Sequence, residues 1–260
     1  MTDRILPLEG VRNFRDFGGY RTAEGGEVRR GLLYRSGHHA DATETDVETL
    51  DTLSIRFQAD LRRPDERERQ VARWQPEDVL THDGGRETVS PHMNFLTRIE
   101  ATPEEAEAWM QDYYRTAPFR DHHVALFRGW FDRLAGLGET EAALVNCAAG
   151  KDRTGILCAL TKHALGVSDA DIFDDYELTN RAVDTDSRLP EAQRYFNDML
   201  GKDYPADVYR PFMGVRATYL RTAFDAIAEE AGGLDVYLHE VLLVDERVQE
   251  DLRRRLVTTG

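Results

Sequence analysis

The sequence predicts an α/β fold in which a small, mostly parallel central sheet is flanked by helices. An apolar run at 142–145 leads into a short loop that contains glycine, and a helix-forming run at 154–165 leads out of it. Strand, loop and helix in this order form the repeating unit of open α/β sheets. A second run, at 55–61, alternates apolar and polar residues as a strand does. Helix-start signals elsewhere in the chain predict the flanking helices.

The N-terminal part of the chain predicts short strands before the first helix. Residues 11–37 have the pattern of short strands joined by a Glu-Gly-Gly turn. Thr43 followed by Asp46 resembles a capping box and predicts a helix that ends near Leu53. The strand at 55–61 comes directly after this helix.

The middle of the chain alternates charged, irregular and helical segments. The charged run 62–69 predicts a solvated helix start rather than a ligand patch. Residues 76–101 predict irregular structure near the entrance of a site. Helices are predicted at 102–116, where Thr, Pro and Glu mark the start, and at about 119–135. The apolar stripe of the first of these helices, which we expect to serve packing, comprises Trp109, Met110, Tyr113 and Tyr114.

The C-terminal part of the chain is predicted to be mostly helical. After the helix that ends near Gly166, Ser168 with Asp171 marks the start of another. Residues 184–213 contain three prolines and two short helical runs, which indicate a connector, and two or three amphipathic helices complete the chain. Because no repeat, low-complexity tract or linker interrupts the sequence, we expect one domain over residues 1–260.

Composition and charge argue against several classes of function. The formal net charge of −15 disfavours nonspecific nucleic-acid binding and docking on anionic membranes. No stretch of about 18 residues lacks charge, so stable membrane insertion is not expected. The first ten residues lack the apolar segment of a signal peptide, which predicts a cytoplasmic location and leaves signal-less secretion open. The two cysteines, Cys147 and Cys158, exclude a disulfide framework.

The strongest functional signal is the segment 146–155, Asn-Cys-Ala-Ala-Gly-Lys-Asp-Arg-Thr-Gly. The N–H groups of such a loop converge, and the positive end of the next helix dipole adds to them, so the loop forms an anion cradle. This cradle and the charge of Arg153 favour the thiolate form of Cys147, which we therefore predict to be a nucleophile facing a phosphate. The alternative, a core cysteine before an ordinary helix, fits the charged Gly-Lys-Asp-Arg segment poorly.

The other residues of the loop suit the same chemistry. The planar guanidinium of Arg153 can hold two phosphate oxygens at once, and Gly150 allows the main chain to approach the ligand closely. Lys151 adds a second cation, and the Thr154 hydroxyl can serve the thiolate or the helix cap. The residues predicted to bind the phosphate are Ala148, Ala149, Gly150, Lys151, Asp152 and Arg153.

Transfer of the phosphoryl group also requires a proton donor for the leaving oxygen, and two aspartates are candidates. Asp60 lies near the end of the strand at 55–61, and active sites of open α/β sheets gather at such strand ends. Asp152 lies within the loop itself. Each also has a plainer interpretation. Asp60 would then only hydrogen-bond at the strand end, and Asp152 would pair with the arginines at 62 and 63.

The loop resembles the Cys-x5-Arg-Thr signature of the cysteine-dependent protein tyrosine and dual-specificity phosphatases. Its fuller form, Cys-Ala-Ala-Gly-Lys-Asp-Arg-Thr-Gly, resembles a bacterial branch of that family with mycobacterial members. The resemblance extends over almost the whole chain, through blocks at 13–20, 31–37, 59–62, 175–180 and 233–238. One position departs from the family pattern: Asn146 stands where a histidine usually precedes the cysteine, and asparagine cannot become cationic.

The resemblance implies a cysteine-phosphatase-like fold and hydrolysis of phosphomonoesters through a cysteinyl-phosphate on Cys147. It favours Asp60 over Asp152 as the general acid, and it implies a helical lid at 184–213. The reaction requires no metal or other cofactor, and the histidines show no metal-ligand spacing. The expected partner is a phosphorylated protein or a phosphoinositide, because Lys151 beside Arg153 resembles loops that accept inositol phosphates.

Two other functions stay open from the sequence. A phosphate-binding pseudophosphatase would have lost turnover through Asn146. A rhodanese-type sulfurtransferase also uses a cysteine in an anion loop, although the rest of the chain does not resemble that family. The block at 35–37 either approaches the site or only links the N-terminal strands to the first helix. The sequence makes no prediction of the oligomeric state.

Overall fold

The computed structural model describes residues 4–85, 91–98 and 101–258, and the α/β fold predicted from the sequence is confirmed. Its five strands are β1 (Arg15–Asp16), β2 (Leu33–Ser36), β3 (Ile55–Asp60), β4 (Asp78–Leu80) and β5 (Ala142–Asn146). They form one sheet in the order β1-β2-β5-β3-β4. β1 is antiparallel to β2, and the other three pairs are parallel.

Helices surround this sheet and make up most of the rest of the described chain. They are α1 (Glu44–Asp51), α2 (Pro64–Arg69), α3 (Pro91–Arg98), α4 (Pro103–Thr116), α5 (Asp121–Gly136), α6 (Asp152–Ala164), α7 (Asp169–Ala182), α8 (Thr185–Leu200), α9 (Ala206–Met213), α10 (Ala217–Ala231), α11 (Leu234–Val236) and α12 (Glu246–Leu256). A 3₁₀ turn (Ala117–Phe119) follows α4, and a π-helical turn (Tyr237–Val241) follows α11. Within the described ranges, none of these helices has the length and apolar character needed to cross a bilayer.

The central strand β5 explains why the sequence there is apolar without interruption. All five of its residues are buried, because β2 and β3 flank it and both faces of the sheet are covered. Ala143 and Val145 point to one side and contribute to a large cluster of buried residues, which we call the main core. Ala142 and Leu144 point to the other side, into a second cluster with residues of α1.

The register of the parallel strands gathers three strand ends at one edge of the sheet. Ser36 of β2 and Asp60 of β3 both align with Asn146 of β5. Polar residues therefore end three neighbouring strands at the edge where open α/β sheets place their sites.

A small hydrophobic cluster lies apart from the main core. Buried side chains from α3, α8, α9 and the turn before α9 form this outer cluster, whose buried members include Leu96, Leu189, Tyr204, Val208 and Tyr209. α9 also packs against α4. The helices at 184–213 are thus connected to the remainder of the fold mainly through α4 and α7.

Several sequence predictions for individual elements are confirmed. Thr43 with Asp46 and Thr102 with Glu105 form complete capping boxes at the starts of α1 and α4. The Ser168 side chain caps α7, as expected. These signals involve residues close together in the sequence, so they can be recognised without knowledge of tertiary contacts.

Three predictions require correction. The run 62–69 is not solvated, because Asp65 and Glu66 are buried beneath the loop that follows β5. Residues 76–101 are not irregular throughout, since β4 pairs with β3 there and α3 packs in the outer cluster. The segment 184–213 holds two helical runs, as expected, but the first of them, α8, is a 16-residue helix with Pro190 inside it rather than a short run.

Candidate active site

The segment predicted to bind phosphate lies at the polar edge of the sheet. Residues 147–151 connect the end of β5 to the start of α6, so the N-terminus of α6 points toward this loop. Cys147 begins the loop and is only 2% exposed. The structure thus brings all predicted residues from Cys147 to Thr154 into one loop and the first turn of one helix.

Groups from the N-terminal part of the chain hold the loop by its carbonyl oxygens, on the side that we call the inner face. The backbone N–H of His38 donates to the carbonyl of Ala148 at 3.1 Å. Asn13 Nδ2 donates to the carbonyl of Gly150 at 2.7 Å, and Arg35 Nη2 donates to the same oxygen at 2.8 Å. Of the two interpretations of the block at 35–37, contact with the site is therefore the one that the structure confirms.

Among the described residues, the N–H groups of the loop have no intramolecular partners. Within the described ranges, no acceptor receives a hydrogen bond from the backbone N–H groups of residues 148–151. Because the carbonyls are tied to the inner face, these N–H groups are available on the opposite side, which we call the outer face. Such a row of free N–H groups before a helix N-terminus can hold an anion.

Two glycines allow the loop and helix to pack this closely. Gly150 has a φ of +67°, and a Cβ at this position would collide with the backbone of Ser36 and Gly37. A Cβ on Gly155 would lie 2.8 Å from the ring of Tyr176 on α7. Both positions therefore require glycine for reasons of space, and Gly150 also for its backbone conformation.

Arg153 is fixed by a partner that sequence reasoning missed. Its Nη1 and Nη2 donate to the two carboxylate oxygens of Glu66 at 2.6 and 2.9 Å, and Nη1 also donates to the carbonyl of Leu61 at 3.0 Å. Burial alone would raise the pKa of Glu66, but the charges and hydrogen bonds of Arg153 and Arg63 together outweigh burial and lower it to about 2. In the sequence, Glu66 lies within the charged run 62–69, and that run predicts a solvated segment rather than a partner for Arg153.

Asp60, which the sequence favoured as general acid, is held by an ion pair. Nε and Nη2 of Arg62 approach its two carboxylate oxygens at 2.6–3.0 Å. Asn146 Nδ2 donates to Oδ1 of the same carboxylate at 3.2 Å. Asp60 is 4% exposed and does not line either of the two cavities that border the loop. Donors thus occupy both of its oxygens.

Asn146, the departure from the family pattern, bridges two strands. Its Oδ1 accepts a hydrogen bond from Gln58 Nε2 at 2.8 Å while its Nδ2 donates to Asp60. The side chain is fully buried. A neutral amide here orders the end of β5 through hydrogen bonds, but it adds no positive charge beside Cys147.

Asp152 has the more open environment of the two aspartates. Its Oδ1 accepts a hydrogen bond from the Tyr114 hydroxyl at 2.7 Å, and that hydroxyl lies 2.6 Å from the hydroxyl of Tyr176. The side chain is 22% exposed and lines a cavity together with Arg153, whereas residues 147–151 of the loop do not line this cavity. The pairing of Asp152 with the arginines at 62 and 63 does not occur, because those arginines pair with carboxylates at 60, 65 and 66.

Lys151 and Thr154 occupy positions that differ from the expectation. Lys151 is buried, and its Nζ donates to the carbonyls of Phe212 at 2.7 Å and Gly214 at 3.1 Å. It therefore holds the C-terminal end of α9 instead of extending beside Arg153. The hydroxyl of Thr154 is buried and has no hydrogen-bond partner within the described ranges.

Cationic and aromatic side chains enclose the cavity that Asp152 and Arg153 line. Apart from Asp152 and Arg153, its walls include Arg63, His92, Trp109, Tyr113, Arg120 and Phe212. Trp109 and Tyr113 stack at a centroid distance of 6.0 Å and pack against the main core, as expected for the α4 stripe, and they also line this cavity. Phe212 also lines a second cavity, which borders the loop at Ala148 and Ala149.

Comparisons with known proteins agree with this geometry. Residues 6–258 match the model of the tyrosine phosphatase family. The chain is 34% identical to a protein of Cupriavidus necator named as a candidate tyrosine-protein phosphatase, over 92% of this chain and 85% of that one. It is 29% identical to the triple specificity protein phosphatase PtpB of Mycobacterium tuberculosis, over 91% of this chain and 93% of that one. A tyrosine-protein phosphatase of Nostoc commune is 25% identical over 84% of this chain and 71% of that one.

Proposed function

This chain belongs to the tyrosine phosphatase family, and we propose that it hydrolyses phosphomonoesters through a cysteinyl-phosphate formed on Cys147. One observation carries the proposal. The carbonyls of the loop are tied to the inner face, and the N–H groups of residues 148–151, which lie in the chain between Cys147 and Arg153, have no acceptor among the described residues. Three non-bridging phosphate oxygens require such a set of donors.

The proposed reaction has two steps. The thiolate of Cys147 attacks phosphorus in line, the P–S bond forms, and the P–O bond to the leaving group breaks. A carboxylic acid gives its proton to the leaving oxygen. A water molecule then attacks phosphorus, gives its proton to the same carboxylate, and displaces the thiolate as inorganic phosphate leaves. Arg153 and the loop N–H groups hold the non-bridging oxygens in both steps, so the main contribution is electrostatic.

We assign the general acid to Asp152 rather than to Asp60, which the sequence favoured. Donors from Arg62 and Asn146 occupy both oxygens of Asp60, whereas Oδ2 of Asp152 has only Lys151 Nζ nearby, at 4.0 Å, among the described residues. An acid must lie within hydrogen-bond reach of the leaving oxygen, and Asp152 lines the same cavity as Arg153.

The walls of the cavity support an aryl phosphate as the first substrate class to test. Trp109, Tyr113 and Phe212 can pack on a phenyl ring, which favours phosphotyrosine. Phosphoserine, phosphothreonine and phosphoinositides belong in the same panel, because Arg63 and Arg120 add positive charge to the entrance. The amine of Lys151, in contrast, is occupied by carbonyls of the α9 end.

We also propose one phosphatase domain over residues 1–260, with α8 and α9 as its lid. Cys147 is 2% exposed, and Phe212 of α9 borders both cavities at the loop. In this proposal the end of α9 moves to admit a substrate to the thiol. α8 and α9 share the outer cluster, and Phe212 packs both on that cluster and on the main core, so it joins the proposed lid to the rest of the fold.

A substrate panel with a nucleophile variant tests the function. Phosphotyrosine peptides, phosphoserine peptides and phosphoinositides are assayed for release of inorganic phosphate, with Cys147→Ser and Cys158→Ser as matched variants. We expect Cys147→Ser to lower turnover by at least about 10⁴-fold and Cys158→Ser to retain activity. Mass spectrometry after an acid quench should find the phosphoryl group on the Cys147 peptide. Wild-type turnover by Cys147→Ser would overturn the mechanism.

A phosphate-binding protein with little turnover is the second candidate, and Asn146 is the observation that favours it. The buried amide supplies no positive charge beside the thiol. Asn146→His separates the two functions: a large gain from near-zero activity supports the binding protein. Substantial activity of the natural sequence supports the phosphatase.

A further inference from the structure

A cluster of buried charged side chains lies directly behind the loop. Arg15 of β1, Arg35 of β2, Lys162 of α6 and Asp175 of α7 are each at most 1% exposed. Four separate elements thus bring three cations and one carboxylate to a single position. Burial of charge costs folding free energy unless the charges are paired, so an unbalanced cluster calls for an explanation.

Asp175 is the centre of this buried cluster. Lys162 Nζ donates to its Oδ2 at 2.5 Å. Arg35 Nη1 lies 3.4 Å from the same oxygen, and Arg15 Nε lies 3.5 Å from Oδ1. Burial alone would raise the pKa of Asp175, but Lys162 and the two arginines hold it well below its ordinary value.

Two chains of hydrogen bonds run from Asp175 to the same atom of the loop. The first is direct, because Arg35 contacts Asp175 and donates to the carbonyl of Gly150 at 2.8 Å. The second passes through Arg15, which donates to Asn13 Oδ1, while Asn13 Nδ2 donates to the carbonyl of Gly150 at 2.7 Å. A residue of α7 therefore fixes the carbonyl whose orientation determines where the loop N–H groups point.

The remaining titratable groups around the buried cluster do not balance its charge. Tyr20 donates to Asp175 Oδ1 at 3.2 Å, and burial raises its pKa. Burial likewise raises the pKa of Cys158 on α6 and of Tyr176 on α7. These three groups are therefore neutral at physiological pH. With burial as the main cause, the pKa of Arg15 falls to about 10, so this side chain stays charged.

The electrostatic field of the buried cluster reaches the catalytic thiol. Burial opposes the charge on Arg35, yet Cys158, Asp175 and Cys147 together raise its pKa. Arg153 on α6 and Tyr113 on α4 also interact electrostatically with Cys147, from the outer side.

We propose that Arg15, Arg35, Lys162 and Asp175 form a positioning and charge-balancing element of the phosphate loop. It turns the Gly150 carbonyl away from the ligand, and its excess of two positive charges is balanced by the Cys147 thiolate and by bound phosphate. The proposal rests on the proposed function. It also explains how the loop keeps positive charge near the thiol when Asn146 supplies none.

Neutralising Lys162 tests the charge-balancing role, because this side chain touches Asp175 but not the loop. In Lys162→Met, Asp175 keeps both arginine partners, so we expect the variant to fold. The rate of Cys147 alkylation by iodoacetamide is measured against pH in the Cys158→Ser background. We expect its midpoint to move upward by about one pH unit. Lys202→Met, which removes an exposed lysine, is the matched control and should leave the midpoint unchanged.

Arg35→Lys tests the positioning role separately, because it keeps the charge and removes the fork that joins Asp175 to Gly150. We expect orthovanadate to bind about 10-fold more weakly by titration, since one charged hydrogen bond is lost. The midpoint of alkylation should stay near that of the wild type. If Arg35 only stabilised the fold, Arg35→Lys would lower the melting temperature. It would not weaken vanadate binding while leaving the alkylation midpoint unchanged.

Two results would overturn the proposal. A folded Lys162→Met protein with the wild-type alkylation midpoint removes the charge-balancing role, and Lys162→Gln decides the matter if the methionine variant does not fold. Wild-type vanadate affinity in Arg35→Lys removes the positioning role. Alkylation requires no turnover, so an inactive wild-type protein would contradict the proposed function without affecting this test.

Discussion

On the inner face of the loop, side chains buried in the fold hold the carbonyls, whereas on the outer face the walls belong to helices at its periphery. Arg35 and Asn13 fix Gly150 from within, and both are at most 2% exposed. Across the loop, Phe212 and Trp109 come from α9 and α4, and Phe212 packs on the outer cluster. The groups that hold the loop carbonyls are therefore buried within the fold, while the side chains that line the cavity come from helices around it.

Arg153→Lys should produce the largest effect, because Arg153 both pairs with the buried Glu66 and lines the cavity beside Asp152. The variant keeps a positive charge but loses the fork that holds Glu66 and two phosphate oxygens. We expect kcat/KM for p-nitrophenyl phosphate to fall by about 10³-fold. Arg120→Lys, on the cavity wall, is the control and should cost less than about 10-fold. Equal losses in the two variants would remove the distinction between loop and wall.

Asp152→Asn should mainly lower catalysis, whereas Asp60→Asn should mainly lower folding stability. Loss of the proposed acid should lower kcat on phenyl phosphate by about 10²–10³-fold and affect p-nitrophenyl phosphate less, since nitrophenolate leaves without a proton. Asp60→Asn breaks a buried ion pair and should destabilise the protein by about 3 kcal/mol, with no dependence on the leaving group. The comparison needs steady-state kinetics and urea unfolding. The opposite pattern would return the acid role to Asp60.

Glu66→Gln should remove a pH-dependent contribution to the free energy of unfolding, which comes from the Glu66 carboxylate beneath the loop. The folded protein lowers the pKa of Glu66 from 4.5 to about 2, because the charges and hydrogen bonds of Arg153 and Arg63 together outweigh the effect of burial. This depressed value contributes about 3 kcal/mol above pH 4.5, and the contribution is lost as the pH falls toward 2. The difference in unfolding free energy between wild type and Glu66→Gln should therefore be larger at pH 7 than at pH 3. Asp83→Asn, at an exposed partner of Arg67, should show no such trend.

The sequence predicted those parts of the site whose contacts are local. Cys147 and Arg153 share one loop with a helix N-terminus, and this geometry follows from a strand, a glycine and a helix start in succession. The capping boxes at Thr43 and Thr102 were equally readable, because each joins residues three apart. Short-range hydrogen bonds need no knowledge of the fold.

Contacts across long distances in sequence could not be predicted in the same way. Glu66 lies 87 residues from Arg153, and Asp175 lies 140 residues from Arg35. A glutamate in a run of charged residues is predicted to be solvated, because only the fold shows that α2 and α7 lie near the loop. Asp60 is an exception to this division, because its partner Arg62 is only two residues away and the sequence pattern alone does not show that this side chain turns back to pair with it.

The smallest effect concerns the link between the loop and the proposed lid. Orthovanadate should slow hydrogen exchange in α8 and α9, because closure over the anion site protects them. Lys151→Met removes two hydrogen bonds to the end of α9 and should increase exchange in that helix by about 10-fold. Lys202→Met serves as the control. Unchanged exchange with and without vanadate would instead favour a plain connector.

Gly150 has a consequence for how enzymes of this kind can diverge. Any side chain there would strike the end of β2, and a positive φ disfavours every other residue as well. New specificity must therefore arise elsewhere, without redesign of the loop. A library that keeps position 150 constant and varies Trp109, Tyr113 and Phe212 would explore substrates while the chemistry stays intact.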